Sequence, residues 1–507
     1  MPRVKNIKLN NPIEKRLDVI SPYHYYLFFL LFLSKLPIFW HVLNLIFLSP
    51  PMEYYCNATE TNTNNDSIDL KNVCPCNEPW WNRNVFTETV QTKFALICDS
   101  TWLISFSESM LYVGTLFGSL VFGFLSDKYG RLSVFSMCCL ILAISGCLVS
   151  TMPTAGSFII MRCIEGIGVG GAIVTSYVLC VEYFGVRYRE MITALFHIPV
   201  NLGHITLPGV SYLLRDCDEF QLALSIPIFL FVGLRWLIME SPKWLMDNDR
   251  IEEAAMVMER LSKFNRTSFE IIKEEIEAFH ATEANRNRRK IKFWQIFKHR
   301  RLLQNLGCMS LIYFVCGMGY YGVSQYIGKM SGDIHANVAI SGALLLPGTI
   351  SAIFLLKILK RRTFLMSTNF LSGFFMIIVI CIPNHLAWVR VVFACIGNCF
   401  FFISFIIVFL YGVELFPTSV RNSVLGFLSV LSRLGQIVAP FVNSLPELQS
   451  GIIFGIMAIF GALLCYPLPE TKHAELPSSL EDSKTLHRKT AHVESSNTQS
   501  NHSLAEQ

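Results

Sequence analysis

Twelve apolar runs dominate the sequence, and each is about as long as a helix must be to cross a bilayer, roughly 20 residues. They lie near residues 25–47, 102–125, 132–152, 156–180, 190–213, 219–239, 304–328, 335–356, 363–383, 387–411, 422–444 and 449–468. Backbone in lipid must satisfy its own hydrogen bonds, and these runs are too long to be strands of a closed barrel. Only 16% of the residues are charged, against about a quarter in a soluble domain. The sequence therefore predicts an all-α membrane protein with twelve transmembrane helices.

Basic residues collect on one side of these spans. The N-terminal segment 1–24 and the loop 240–303 are rich in Lys and Arg, and a shorter loop on the same side carries Lys360. Because short loops with such a bias stay in the cytoplasm, this side is predicted to be cytoplasmic. Both termini are then cytoplasmic, with a helical loop at 240–303 and a polar, disordered tail at 469–507.

The loop at 49–101 has few basic residues and is predicted to be external. It contains four cysteines, which are Cys56, Cys74, Cys76 and Cys98. Four cysteines allow three disulfide pairings, and the sequence does not choose among them. The same loop contains glycosylation sequons at Asn57 and Asn65, which we expect to be used.

One polar pattern occurs twice in the chain. The nonapeptides VEYFGVRYR, from Val181, and VELFPTSVR, from Val413, share Val, Glu, Phe and Arg at four places and start 232 residues apart. A second motif follows each set of six spans, ESPK from Glu240 and PETK from Pro469. The chain is therefore predicted to be two six-helix halves, 25–239 and 304–468, related by a parallel repeat.

Charged residues at the cytoplasmic helix ends of two such halves suit an inner gate, because they can pair when the gate is shut and separate when it opens. The predicted gating residues are Asp127, Arg131, Glu182, Arg189, Glu414 and Arg421.

Several of these motifs carry a family resemblance. GFLSDKYGR, residues 123–131, resembles the loop signature of the major facilitator superfamily. VELFPTSVRN, ESPKWL and the cysteine-bearing loop that ends in LICDSTWL resemble the solute carrier 22 family of organic cation, organic anion and carnitine/zwitterion transporters. The resemblance covers about residues 20–475, and it implies the major facilitator fold and movement of small organic ions across the plasma membrane. The second copy of the loop signature, KILKRR, lacks the Asp and Gly, so the gate on that half is expected to be weaker.

Polar residues follow one face of the fifth span and one face of the eleventh. The repeat offset relates the two sets, which are His197, Asn201 and His204 in the fifth span and Ser429, Arg433 and Gln436 in the eleventh. The two polar stripes are predicted to face each other across a substrate cavity. A guanidinium in mid-membrane needs compensation, and Arg433 suits a substrate carboxylate. The alternative is a buried ion pair with Glu108 or Glu165.

Three further residues are candidates for the substrate site. Lys35 in the first span would add a second positive group; the alternatives are that its side chain extends to the membrane surface or that it lies at a helix kink beside Pro37. Tyr320 and Tyr321 in the seventh span would line the cavity, since Tyr offers a flat apolar ring and one hydroxyl, or would pack between helices. Arg162 and Glu165 are spaced to neutralise each other.

The family resemblance bears on the charge of the substrate. SRLGQIVAP, residues 432–440, is similar to the anion and carnitine/zwitterion branches of the family, which carry Arg at this point.

The sequence thus favours a secondary transporter of small organic anions or carnitine-like zwitterions that works by alternating access. The alternatives are an organic cation transporter that uses Glu108 or Glu165, and a non-transporting receptor or scaffold. Proton coupling through His197 and His204 is a further possibility. No nucleotide-binding, hydrolase or metalloprotease motif supports an enzyme. We predict no cofactor, no metal and no nucleic-acid partner; the bilayer and small organic ions are the partners, and the oligomeric state stays open.

Overall fold

The computed structural model describes residues 17–56, 70–76, 79–262, 272–278, 296, 299–417 and 420–472. Helices stand at all twelve predicted spans, and we label them in chain order. They are α1 Pro22–Leu43, α2 Trp102–Tyr129, α3 Arg131–Ser150, α4 Ala155–Tyr183, α5 Ile198–Leu213, α6 Cys217–Ser225, α7 Arg300–Lys329, α8 Ile334–Ile358, α9 Arg361–Cys381, α10 Ala387–Leu415, α11 Arg421–Val442 and α12 Glu447–Leu464.

The fifth span differs from its prediction. Among the described residues, eleven helical segments are long and apolar enough to cross a membrane, and α5 is not one of them. The predicted run 190–213 is broken into Val186–Leu195 and α5. Pro199 explains the break, because it has no N–H for the Leu195 carbonyl and its ring would clash with that carbonyl. The sixth span is also interrupted, and after α6 it continues as Ile228–Val232 and Leu234–Leu237.

Short elements connect the long helices. They are the helices Leu45–Leu48, Val90–Lys93, Pro242–Asp247, Ile251–Ser262 and 272–278, the 3-10 turns Cys98–Ser100 and Asn384–Leu386, and the strands β1 Tyr54–Cys56, β2 Leu70–Lys71 and β3 Trp80–Trp81. The strands form one antiparallel sheet in the order β2-β1-β3.

Two disulfides hold this sheet in the loop 49–101, and they resolve the pairing that the sequence left open. Cys56 is bonded to Cys76, and Cys74 to Cys98. Asn57 and Asn65 lie outside the described residues, so their glycosylation stays a prediction. We call the end of the bundle that carries this loop the loop face, and the opposite end, which carries residues 123–131, the motif face.

Glycines allow the closest helix packing in the first half, between α2 and α4. A Cβ atom added to Gly166 would lie 2.1 Å from the carbonyl oxygen of Leu111, and one added to Gly114 would lie 2.0 Å from that of Cys163. Backbones this close tolerate no side chain, as at small-residue interfaces of membrane helices. Gly166, Gly168 and Gly171 of α4 have the spacing G-x-G-x-x-G, but they lie inside a membrane-spanning helix, and close packing explains them without a nucleotide.

The two halves meet where α11 packs on α2 and α8 packs on α5. Hydrogen bonds join the halves at several depths. Ser109 Oγ donates to the Ile437 carbonyl at 2.8 Å, and Asn201 Nδ2 donates to Thr349 Oγ1 at 2.7 Å. At the loop face, Ser211 Oγ and His335 Nε2 are 3.3 Å apart. The halves are therefore in contact from mid-membrane to the loop face.

Candidate functional site

Arg131, at the start of α3, connects three helices at the motif face. Its Nη2 lies 3.1 Å from Glu182 Oε1 in the last turn of α4, and its Nε donates to Glu182 Oε2 at 3.3 Å. Its Nη1 also donates to Asp127 in the last turns of α2. The Arg131 and Glu182 side chains are 14% and 17% exposed, so water screens them less than a surface pair. Three of the predicted gating residues thus form one cluster within the first half.

Glu240 of the ESPK motif caps the same helix. Its two carboxylate oxygens accept from the Leu132 N–H at 3.0 Å, a position where the helix dipole favours an anion. Burial raises the pKa of Glu240, and the N–H groups of Leu132 and Ser241 partly offset that rise. Gly130 stands between the two helices with φ +102°, and a Cβ there would lie 2.5 Å from Glu240 Oε2. The last Gly of the loop signature is therefore required by its positive φ, and a side chain there would also displace the Glu240 carboxylate that caps α3.

The second half repeats this arrangement although KILKRR has lost the Asp and Gly of the signature. Arg361 Nε lies 3.2 Å from Glu414 Oε1. The carboxylate of Glu470, in PETK, accepts from the N–H of Arg361 at 2.7 Å and of Arg362 at 3.2 Å. Thr471 Oγ1 donates to Glu414 Oε2 at 2.6 Å. The Arg–Glu pair and the Glu cap are therefore retained in the half where a weaker gate was expected.

We expect Glu414→Gln to lower the free energy of unfolding by about 1.5–3 kcal/mol, the usual range for a hydrogen bond to a charged group. The Arg361 and Glu414 side chains are only 10% and 14% exposed, so water would compensate Arg361 poorly for the lost carboxylate. The matched control is Glu253→Gln, because the Arg250–Glu253 pair is 49% and 43% exposed and should contribute little. Thermal unfolding of the purified protein measures both. Equal midpoints for the two variants would contradict this account of the second pair.

Arg421 and Arg189 are the remaining two predicted gating residues. Arg421 Nε donates to the Phe416 carbonyl at 3.2 Å and does not pair with Glu414. The side chain of Arg189 lies outside the described part of the structure. In the described part, the ion pairs at the motif face each join residues of one half. No described ion pair thus connects the two halves at this face.

The α11 stripe borders α7. Arg433 Nη1 donates to Gln436 Oε1 at 2.9 Å, and the guanidinium also interacts with the Tyr321 hydroxyl. Ser429 Oγ donates to the Leu425 carbonyl at 2.8 Å within the helix. In the described residues Arg433 has no carboxylate partner, so the alternative of a pair with Glu108 or Glu165 is not observed.

The α5 stripe turns toward α8 and α10. Asn201 donates to Thr349 in α8, and Asn201 Oδ1 is buried without a described hydrogen-bond partner. His204 is 0% exposed, and neither ring nitrogen has a partner among the described residues. The His197 ring lies 6.1 Å from the Phe402 ring in α10. The two stripes are therefore not in direct contact, and their predicted opposition across a substrate cavity stays a prediction.

These aromatic side chains form a continuous series from α10 to α7. Ring centroids are 4.8 Å apart for Phe402 and Tyr320, and 4.9 Å for Tyr320 and Tyr321. Phe405 packs against both tyrosines, at 6.0 and 6.1 Å. The Tyr320 hydroxyl is buried and has no partner in the described part of the chain. We call Phe402, Phe405, Tyr320 and Tyr321 the aromatic series; Arg433 stands at its α7 end.

Lys35 lies near the other end of the aromatic series, in the first half. Its Nζ donates to the Phe196 carbonyl at 2.9 Å and lies 3.9 Å from the centroid of the Phe196 ring. The carbonyl belongs to the break before α5, where the backbone is not hydrogen-bonded as a regular helix. Lys35 is 6% exposed and, among the described residues, pairs with no carboxylate. Snorkelling to the membrane surface is therefore not what the structure shows.

The buried acids have a cation of their own. Arg162 Nη2 lies 3.1 Å from Glu108 Oε2, and Arg162 Nη1 lies 3.1 Å from Glu165 Oε2. The pairing of Arg162 with Glu165 expected from their spacing is confirmed. His41 Nδ1 is 2.5 Å from Glu165 Oε1, and Asn44 Oδ1 accepts from Arg162 at 2.9 Å. We call these five residues the Arg162 cluster; Arg162, Glu108 and Glu165 are at most 1% exposed.

The Arg162 cluster reaches the second half through Gln325 in α7. Gln325 Nε2 donates to Glu108 Oε1 at 2.9 Å and to the Tyr112 hydroxyl at 3.2 Å. Asn443 Nδ2 in turn donates to Gln325 Oε1 at 3.3 Å. Sequence reasoning missed His41 and Gln325, because their partners lie more than 100 residues away and no local spacing marks them.

Metal-ligating side chains come together once in the described part of the chain, where Asp216, Cys217 and Asp218 have ligand atoms within 4.8 Å of one another. Asp216 caps α6 by accepting from the Asp218 and Glu219 N–H groups at 2.8 and 3.3 Å. Asp218 lies 2.6 Å from Lys93 Nζ. Both carboxylates therefore have protein partners, and we assign no metal to them.

The family model of sugar (and other) transporters matches residues 41–479. Solute carrier family 22 member 3 of Rattus norvegicus is 30% identical over 423 residues, which are 82% of this chain and 75% of the relative. The chain belongs to solute carrier family 22 of the sugar (and other) transporters. By family, this solute carrier is a multi-pass membrane protein and a secondary transporter, not an enzyme.

Other relatives of this solute carrier include both an organic cation transporter and an organic anion transporter. The organic cation transporter protein of Drosophila melanogaster is 28% identical over 87% of this chain and 81% of its own. Organic anion transporter 3 of Oryctolagus cuniculus is 29% identical over 80% of this chain and 76% of its own. The inward-open xylose transporter XylE of E. coli superposes with a TM-score of 0.66 at 17% identity, over 92% of this chain and 100% of that one. The likeness to XylE shows the major facilitator fold.

Proposed function

We propose that this solute carrier moves small organic anions or zwitterions, carnitine-like ones included, across the plasma membrane by alternating access. The observation that carries the proposal is that two cations, buried Lys35 in the first half and half-buried Arg433 in the second, have no carboxylate partner in the described part of the chain. A lone cation in mid-membrane costs several kcal/mol. An anionic substrate group supplies the missing charge, and the Arg fork can bind a carboxylate through two hydrogen bonds.

The aromatic series supports a substrate with a flat or apolar body. The aromatic series presents ring faces and edges between the two cations. It also presents the Tyr320 hydroxyl, which has no hydrogen-bond partner in the part of the chain that the structure describes. Buried polar groups are normally hydrogen-bonded, so a hydroxyl without a protein partner fits a place that water or substrate occupies. His204 and Asn201 also have polar atoms without a hydrogen-bond partner among the described residues, which extends this argument to α5.

Alternating access is supported by where the halves touch. They are joined from mid-membrane to the loop face, while the described ion pairs at the motif face stay within each half. With the predicted orientation, we infer that this is a state closed toward the outside. In the opposite state the motif-face cations would pair across the halves, and the loop face would part.

An organic cation substrate is the second candidate, since named relatives include cation transporters. It would need an acid of the first half, and here Glu108 and Glu165 are both held by Arg162. A cation would have to displace that guanidinium. This is why we place anions and zwitterions first.

The test is uptake by cells with the protein confirmed at the surface. Matched labelled panels of carboxylate anions, carnitine-like zwitterions and quaternary ammonium cations are offered in turn. Uptake of anions or zwitterions above empty cells supports the proposal. Uptake of cations alone overturns it, and uptake of none of the three favours the non-transporting alternative.

A further inference from the structure

His335 of the second half inserts into an aromatic enclosure of the first half at the loop face. Its ring stacks between Phe47 and Phe86, with centroids 5.4 Å from each and interplanar angles of 23° and 27°. The Tyr212 ring closes a third side edge-on at 5.7 Å. We call Phe47, Phe86 and Tyr212 the aromatic box. The His335 side chain inside it is only 11% exposed.

Three separate segments of the first half build the aromatic box. Phe47 lies in the short helix after α1, Phe86 in the disulfide-bearing loop and Tyr212 in the last turn of α5. The loop is fixed beside α6, because the Thr87 N–H donates to the Arg215 carbonyl and the Cys217 N–H to the Glu88 carbonyl, both at 3.1 Å. The box is therefore tied to the frame of the first half and would move with it.

His335 itself belongs to the frame of the second half. It is the second residue of α8, whose first turn is capped by Asp333 through the His335 N–H at 2.8 Å. The ring contacts with Phe47, Phe86 and Tyr212 and the approach to Ser211 all cross between the halves. The loop face cannot part without withdrawing the ring from the box.

We propose that His335 and the aromatic box form a proton-sensitive lock on the loop face: the neutral ring holds this face closed, and protonation from the external side releases it. The proposal uses the predicted orientation of the chain, and it does not depend on which substrate is carried.

The sign follows from the surroundings of the ring. The titratable groups that face it are Asp333, Arg215 and Tyr212. Asp333 Oδ1 lies 3.4 Å from His335 Nδ1 and favours the imidazolium, but Asp333 is 65% exposed and belongs to the same helix start, so it stays beside the ring in both states. Arg215 lies over the Tyr212 ring and repels a second cation in the closed state. An imidazolium gains some cation–π attraction from the box, but the cost of burying an ion next to apolar rings exceeds it. In the open state the ring is hydrated and titrates within the range of external pH. Protons bind the open state better and so shift the population toward it.

The test measures the opening directly, without substrate. Spin labels at Cys381, the exposed one of the free cysteines that the structure describes, and at Trp102→Cys report the separation of the halves at the loop face by pulsed electron resonance. The full chain in lipid nanodiscs is measured at pH 7.5 and 5.5. From the ordinary pKa of histidine we expect the open population to rise roughly three- to tenfold at the lower pH.

Two variants separate the lock from its proton. His335→Phe keeps a stacking ring and removes the titration, so the open population should stay low at both pH values. His335→Ala removes the ring, so the open population should be high at both. A His335→Phe variant that still responds to pH as the parent does overturns the proton sensitivity. A His335→Ala variant that stays as closed as the parent overturns the lock, and Phe86→Ala tests the lock from the other side if either variant fails to fold.

Discussion

Arg433→Gln is expected to lower the uptake of organic anions by about 100-fold or more, with the protein still present at the cell surface. A hydrogen bond to a charged group contributes about 1.5–3 kcal/mol, and a carboxylate held by the guanidinium fork would lose two of them. Each 1.4 kcal/mol is about a factor of ten in affinity. Arg433 contacts Gln436 and the Tyr321 hydroxyl. In Arg433→Gln these two groups can still hydrogen-bond to water or to the new Gln side chain, so we expect the protein to fold.

Two companion variants give this result its meaning. Arg433→Lys keeps the charge without the planar fork, so we expect uptake between that of the parent and that of Arg433→Gln. Arg235→Gln makes the same chemical change at an exposed position and should transport as the parent does. If Arg433→Gln transports with an unchanged KM, then Arg433 is a packing residue and the anion argument fails.

Arg162→Met is expected to destabilise the protein by about 3–5 kcal/mol, the usual cost of breaking a buried ion pair from one side. Glu108 and Glu165 would be left almost wholly buried without their shared cation. Such a loss is a large part of the stability of most proteins, so surface expression should fall steeply. Surface biotinylation and the unfolding temperature in detergent are the measurements.

A compensated variant separates charge from packing. Replacing the whole set, Arg162→Met with Glu108→Gln and Glu165→Gln, leaves no buried ion, and such replacements are often close to neutral. We expect this triple variant to recover most of the lost surface expression. If Arg162→Met alone is as stable as the parent, the two carboxylates do not need Arg162. Glu108 and Glu165 could then bind an organic cation substrate, as the alternative hypothesis requires.

Hydropathy was sufficient to locate the helices, because lipid imposes one solution on an apolar run of this length. The predicted run 335–356, for example, is the helix Ile334–Ile358. The break before α5 does not show in hydropathy, because Pro199 is itself apolar and acts through its missing N–H. The disulfide pairing could not be read, since four cysteines in one loop are equivalent until the sheet β2-β1-β3 brings Cys56 next to Cys76.

The site was predictable within single helices and not between them. The spacing of Arg433 and Gln436 places both on one face, and the two side chains are hydrogen-bonded. The repeat also suggested that Asn201 would face them, but Asn201 binds Thr349 instead, because α5 packs on α8 at this point. The Arg361–Glu414 pair was missed for a related reason: the motif was judged by its Asp and Gly, whereas the Arg that makes the ion pair was still present.

Exchange in proteoliposomes tests most directly the claim that this solute carrier binds an anion between its two halves. Purified protein is reconstituted with an unlabelled organic anion, an organic cation of the same size, or neither inside, and the entry of labelled anion is timed. The account predicts that internal anion accelerates entry, that internal cation does not, and that Arg433→Gln removes the acceleration. Acceleration by internal cation alone, or equal exchange by Arg433→Gln, would contradict it.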